Sequence, residues 1–262
     1  MSKNNFHNKY AVEKPKRIIS LVPSISELLF NLGLDEEVIG ITKFCLHPVH
    51  WFKTKTRIGG TKNINIEKIK LLQPDLIIAS KEENIKEQVE ALQQTAPVWL
   101  TDISTFSHAL EMVDDCGKIT GKEEKANEIT DKIKSSFNQP SLQVYRHNDQ
   151  PPTLYLIWRN PYMTIGGDTF VHDMLRLAGF TNIYGHLTRY PSLTIKEIVN
   201  ANPAYIFLSS EPFPFKQKHI DELQQYLPQS KIILVDGEMF SWYGSRMMYA
   251  AEYFEELKLK II

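Results

Sequence analysis

The chain has almost no cysteine, no long apolar run and almost no net charge, and each of these shortages excludes something. It carries two cysteines, Cys45 and Cys116, in 262 residues. That is too few for a disulfide-dense scaffold, and they lack metal-ligand spacing. Whether the two pair depends on the fold. Formal net charge is -1, so no global field draws the chain to nucleic acid or to an anionic membrane. The first hydrophobic run, residues 18–22, is far too short to span a bilayer, and residues 1–16 are polar and basic. With no secretory signal visible, the chain as encoded is expected in the cytoplasm; an upstream start would make it periplasmic. No low-complexity tract interrupts the 14 prolines and 12 glycines. The nucleotide and hydrolase signatures are missing as well: no Walker loop, no Gly-x-Ser-x-Gly, no His-Glu-x-x-His.

What the chain does have is a phrase used twice. Residues 65–80, NIEKIKLLQPDLIIAS, are answered by residues 194–209, TIKEIVNANPAYIFLS. Each reads as a capped helix, a proline that stops it, and a buried strand ending in serine. One copy in each half predicts two similar α/β lobes with a ligand cleft between them. Strands alternating with helices argue for parallel sheets in both halves. The first strand, residues 17–22, leads into a helix where Ser24 and Glu27 have the spacing of a capping box. Residues 43–63 read as irregular, and residues 105–137 as helix with Gly121 the one break. A helical stretch at the midpoint predicts a stiff linker. The expected domains are residues 1–104, an N-terminal lobe; 105–138, the linker with its backbone helix; and 139–262, a C-terminal lobe.

The order of Arg17-Ile18-Ile19-Ser20-Leu21-Val22-Pro23-Ser24-x-x-Glu27, Gly40-Ile41-Thr42, Ile58-Gly59-Gly60 and Pro74-Asp75-Leu76-Ile77 resembles a known family. It is that of the ABC-transporter substrate-binding proteins for cobalamin, haem and ferric siderophores. Gly166-Gly167, Ala178-Gly179-Phe180-x-Asn182-Ile183 and the strand after Pro203 continue it, and the look is closest to the cobalamin binders. The resemblance implies two Rossmann-like lobes joined by a single long rigid helix, and a non-enzymatic receptor. It would act as a monomer, with no intrinsic cofactor, and its cargo would be a cobalt or iron chelate. It also implies one surface glutamate per lobe to dock an ABC permease. The first falls on Glu67; Lys196 occupies the second position, with Glu197 one step later and about 100° away around the helix.

A flat corrin or porphyrin gains most from aromatic faces, and arginine suits any carboxylate edge. The candidate ligand contacts are therefore His47, Trp51 and Arg57 in the first lobe. In the second they are Trp158, Arg159, Tyr162, Arg189, Tyr190, Trp242, Tyr243 and Arg246. His47 is also the candidate metal ligand, since neutral imidazole binds cobalt and iron. A tris-catecholate would need several of these arginines facing one point. Arg246 has the alternative of an internal salt bridge, and Trp158 that of packing. The rival functions are a cytosolic tetrapyrrole or corrinoid sensor or chaperone, and a tetrapyrrole metal chelatase with His47 and Glu238 on the metal.

Overall fold

In the computed structural model, which describes residues 14–139, 142 and 150–261, both copies of the repeated phrase fold alike. Helix α3 (Ile66–Leu72) is capped by the Asn65 side chain, which accepts from the Lys68 N–H. Helix α8 (Ile195–Ala201) is capped by Thr194. The residues that end them, Gln73 (φ 44°) and Asn202 (φ 43°), are left-handed without being glycine. Pro74 and Pro203 then prevent continuation, and each chain runs into a buried strand: β4 (Leu76–Ser80) and β10 (Tyr205–Ser209). Arg17 reinforces the first copy by donating to the carbonyls of Leu72 and Gln73, where a cation opposes the helix dipole.

The chain divides into two compact units, residues 1–103, 107–133 and 243–248 against 104–106, 134–242 and 249–262. In the first, β1 (Ile18–Ser20), β2 (Val38–Ile41), β3 (Thr56–Arg57), β4 and β5 (Val98–Thr101) form a wholly parallel sheet in the order β3-β2-β1-β4-β5. Helices α1 (Pro23–Asn31), α2 (Val49–Thr54), α3 and α4 (Lys86–Leu92) connect its strands. Ile19, Leu21, Ile69, Ile77 and Val98 build the core beneath. Strand order reverses between β1 and β4, and in open parallel sheets ligands bind beyond the carboxyl ends at such a reversal.

The second unit departs from the expected all-parallel sheet. Strands β6 (Pro152–Trp158), β10 and β11 (Lys231–Val235) are parallel neighbours in the order β11-β10-β6. Strand β7 (Tyr162–Thr164) instead returns antiparallel to β6, and β9 (Ser192–Leu193) pairs antiparallel with β7; the short β8 (Thr181–Asn182) joins β6 in parallel. The cause is a reversal at Asn160, left-handed at φ 64°, followed by Pro161. A stretch that reads as loop is therefore a hairpin. Helices α7 (Phe170–Leu177), α8 and α9 (Gln217–Gln224) cover the sheet over Leu154, Leu156, Ile198, Ile206, Leu208 and Leu223.

The predicted helical run is present, but as two helices, α5 (Phe106–Thr120) and α6 (Glu123–Phe137), so no single helix runs through the stretch. Gly121 (φ 68°) makes the break, and the helices close on each other at Gly117, where a Cβ would lie 2.5 Å from that of Ala126. Short α10 (Glu238–Ser241) and α11 (Met247–Ile261) end the chain. The capping box expected at Ser24 and Glu27 does not form: α1 begins after Val22 with no side-chain cap, and Glu27 is engaged elsewhere. Among the described residues no helix is long and apolar enough to cross a membrane. Residues 140, 141 and 143–149, within a segment read as irregular, lie outside the described residues.

Candidate functional site

Beyond the carboxyl end of β2, the first unit presents an apolar loop that hangs on one buried thiol. Cys45 Sγ lies 3.1 Å from Ser26 Oγ and 3.3 Å from Thr42 Oγ1, and all three residues are buried. Burial pushes the Cys45 thiol above its ordinary pKa. With Cys45 pinned inward, its neighbours point out: Phe44 is 49 %, Leu46 51 % and Val49 62 % exposed. His47 stands among them, half-buried. The Phe44 ring fits against Gly60, where a Cβ would lie 3.1 Å from it, and Lys43 Nζ sits 5.0 Å over its centroid. Three large apolar side chains are thus exposed within six residues, which makes this loop a candidate recognition surface.

Several first-unit candidates prove internal. Trp51 is fully buried: it lies in α2, donates its indole N–H to Asp35, and packs edge-on to Phe30 at 5.6 Å. It is core, not ligand wall, because the stretch read as irregular folds into a helix around it. Tyr243 belongs to this unit, 4 % exposed, with its hydroxyl beside Ser80 and Thr101. Arg246 donates twice to Glu27, at 2.9 and 2.7 Å, and both side chains are nearly buried. These two contacts, with Asn31 Nδ2 donating to Ser245 Oγ at 3.0 Å, tie the late segment to α1 and the sheet. Tyr243 and Arg246 are thus structural. Arg57 is exposed, its guanidinium 5.1 Å over the Phe52 ring. Glu67 is exposed and 2.8 Å from Lys70.

In the second unit more of the candidates face outward. Trp158, at the end of β6, is 39 % exposed with Phe213 edge-on at 5.6 Å. Arg189 is exposed, left-handed at φ 59°, and lies 5.6 Å over the half-buried Tyr190 ring. Their loop is held backbone to backbone: Gly166 N–H donates to Arg189 O at 2.7 Å and Gly167 N–H to Leu187 O at 2.8 Å. A Cβ on Gly167 would sit 2.1 Å from Gly185 O, so the glycine pair serves loop docking and not dinucleotide binding. Arg159 is committed to Glu222, at 2.6 and 2.7 Å, and the Tyr162 hydroxyl donates to the same carboxylate at 3.2 Å. The Arg159 hydrogen bond holds Glu222 below the usual carboxylate range. Trp242 is 7 % exposed, and its indole N–H donates to Glu211 Oε1 at 2.9 Å.

Of the sequence candidates, Trp158 and Arg189 are exposed, and His47 and Tyr190 are half-buried. Sequence reasoning missed Phe44, Leu46 and Val49, whose one signal was apolar side chains either side of a cysteine in a stretch without strand pattern. Of four candidate arginines, Arg159 and Arg246 pair with carboxylates of their own units, and Arg57 and Arg189 are exposed. Such surfaces can stack on an apolar, planar molecule and offer it an imidazole; they offer little to a highly charged anion. Among the described residues no three His, Cys, Asp or Glu side chains gather as a metal-ion site. Both cysteines are free and buried, and burial raises the Cys116 thiol to about 12.

A family model described as periplasmic binding protein matches residues 18–229. An ABC transporter substrate-binding lipoprotein of Bacillus subtilis is 28% identical over 199 residues, which is 73% of this chain and 62% of that one, under two thirds of its length. Two solved structures share the fold. A haem-binding protein of Roseiflexus sp. RS-1 has a TM-score of 0.79 at 19% identity, covering 93% of this chain and 97% of its own. The vitamin B12 binding protein of Vibrio cholerae has a TM-score of 0.78 at 20% identity, covering 94% and 98%.

Proposed function

This chain belongs to the periplasmic binding protein family, and from that premise we propose that it captures a metal-containing macrocycle or chelate for ABC-type uptake. A cobalamin-type corrinoid comes first; haem and ferric siderophores follow. The observation that carries this reading is the exposed Phe44, Leu46 and Val49 around His47 at the carboxyl end of the first sheet. Apolar faces of that kind bind flat, weakly polar rings. Trp158, Tyr190 and Arg189 extend the same chemistry in the second unit, each on a carboxyl-end or adjoining loop. Two internally paired arginines argue against a tris-catecholate, which needs cationic forks left over. The cargo brings the metal, and His47 supplies a nitrogen to it. The chain binds and releases without chemical turnover, and it works outside the cytoplasm, as the lipoprotein and periplasmic names of similar proteins suggest.

Delivery to a permease would rest on Glu67. Its counterpart Lys196 is exposed with the opposite charge, and Glu197 is spent on a capping box, accepting from the Thr194 N–H and hydroxyl at 2.7 Å each. Docking through one acidic contact predicts a slower, less salt-sensitive encounter than docking through two. The test of capture is a visible-light titration with cyanocobalamin, haem and a ferric tris-catecholate. Saturable binding of cyanocobalamin, with the tris-catecholate weakest, supports the proposal. Metal insertion into an added metal-free tetrapyrrole, faster than without protein, would replace it with a chelatase.

A further inference from the structure

The second unit holds the half-buried carboxylate of Glu211 between two side-chain donors. Glu211 stands two residues past the end of β10, and its Oε1 accepts from Ser241 Oγ at 2.5 Å and from Trp242 Nε1 at 2.9 Å. Its backbone is held equally firmly. Ser209 Oγ donates to Glu211 O at 2.6 Å, and the Tyr155 hydroxyl donates to Ser209 Oγ at 3.1 Å. Gly237 closes the pocket, since a Cβ there would fall 2.4 Å from Ser209 Oγ and 2.7 Å from Glu211 Cγ. Carboxylate and indole are therefore fixed to each other and to the strand ends. Trp242 is also the last residue of its unit before residues 243–248 enter the first.

We propose that Glu211 is a positioning residue that seats the Trp242 indole as part of the ligand wall, and that its ionisation makes this seat pH-dependent. The ligand half of the proposal rests on the capture reading; the seat itself does not. An ionised carboxylate holds N–H and O–H donors more strongly than a neutral one. The charged groups facing Glu211 are the carboxylates of Glu238 on α10 and Asp236 before it. Tyr253 on α11, whose hydroxyl accepts from the Asp236 N–H, and Tyr155 on β6 are the phenols packed nearby. Burial, with repulsion from Glu238 and Asp236, sets the Glu211 carboxyl above the usual range. As pH falls, the charge-assisted seat is thus given up before an ordinary glutamate would protonate.

The test uses the whole chain and two readouts. In the first, tryptophan fluorescence is followed from pH 7 to pH 4. The wild type is expected to show a step that is absent in Glu211→Gln and in Trp242→Phe. The other indole on a carboxylate, Trp51 on Asp35, changes at lower pH, because that hydrogen bond holds Asp35 below the usual range. No step in the wild type, or the same step in Glu211→Gln, overturns the proposal. In the second readout, cyanocobalamin affinity at pH 7 is expected to fall about tenfold in Glu211→Leu, which leaves the indole N–H without its acceptor. Glu211→Gln should recover most of the loss, and of these two only the wild type should weaken as pH is lowered. Equal affinity in wild type and Glu211→Leu overturns the positioning role. A fluorescence step with no cyanocobalamin, haem or chelate binding overturns the capture reading and the ligand half of this proposal with it, leaving the indole seat.

Discussion

The two units hold the same helix–proline–strand module yet spend their aromatic and cationic side chains differently. In the first, Trp51, Tyr243 and Arg246 are turned inward, onto Asp35, the Ser80–Thr101 strand ends and Glu27, while the aliphatic and aromatic loop of Phe44, Leu46 and Val49 is turned out. In the second, Trp158, Arg189 and Tyr190 face outward, and Arg159, Tyr162 and Trp242 are fastened to Glu222 and Glu211. Residue type marks a position as capable of recognition. Only the neighbours decide whether that capability is offered to solvent or used up within the fold.

The sharpest way to break this contrast is to delete one inward group and one outward group and compare stability. Arg246→Ala removes both hydrogen bonds that the guanidinium donates to the nearly buried Glu27, and should cost about 3–5 kcal/mol in denaturant unfolding. Trp51→Ala should cost a similar amount, roughly 3–5 kcal/mol, from lost packing. Trp158→Ala and Tyr190→Ala should cost about 1 kcal/mol or less in stability, being partly solvated already. A large loss in the second pair, or a small one in the first, would erase the distinction.

The effect on ligand should run the other way. Tyr190→Ala is expected to weaken ligand binding by about 1–3 kcal/mol through lost stacking and burial. Trp242→Ala should fall in the same range, about 1–3 kcal/mol, if its seated edge belongs to the wall. Titration of the purified variants against the wild type reads this directly; unchanged affinity in both would rule out Tyr190 and Trp242 as ligand contacts.

Within the module itself smaller differences are expected. Thr194→Ala breaks a two-sided capping box and should cost about 1 kcal/mol. Asn65→Ala removes one bond and should cost less, about 0.5 kcal/mol. Thermal melts of the two variants side by side decide which copy depends more on its cap. The Thr194 backbone and hydroxyl donors hold Glu197 below the usual carboxylate range, so its contribution is present at neutral pH and lost as pH falls past that lowered value. Acid titration should therefore shrink the Thr194→Ala deficit, since the Glu197 N–H still donates to Thr194 Oγ1, and leave that of Asn65→Ala unchanged. Glu211 has the opposite sign: its raised carboxyl disfavours folding at neutral pH, so Glu211→Gln should raise the melting temperature at pH 7 and lose that advantage toward pH 4. Glu67→Ala, at an exposed pair, should change stability by under about 0.5 kcal/mol.

Much of the architecture was legible because its signals are local. Pro74 and Pro203 end helices, Gly121 breaks a helical run, and the repeated phrase folds twice into a capped helix with a left-handed end and a following strand. The hairpin at Asn160 was not legible, since a three-residue strand after a proline turn has too few residues to show alternation. The site was harder for a physical reason. Arg246 finds Glu27 at a separation of 219 residues and Arg159 finds Glu222 at 63, and no spacing rule reports a partner so distant. Trp51 was misread because a six-residue helix amid His, Pro and Gly leaves no periodic trace.

Ligand capture by the first unit depends on the exposed side chains around His47. The most direct measurement is cyanocobalamin titration of the double variant Phe44→Ser, Leu46→Ser, which changes solvent-facing side chains and leaves the Cys45 anchor intact. Saturable binding by the wild type and a loss of at least about tenfold in the variant, with an unchanged melt, is the predicted result. Equal binding by the two proteins would contradict it, and would move the ligand away from this loop.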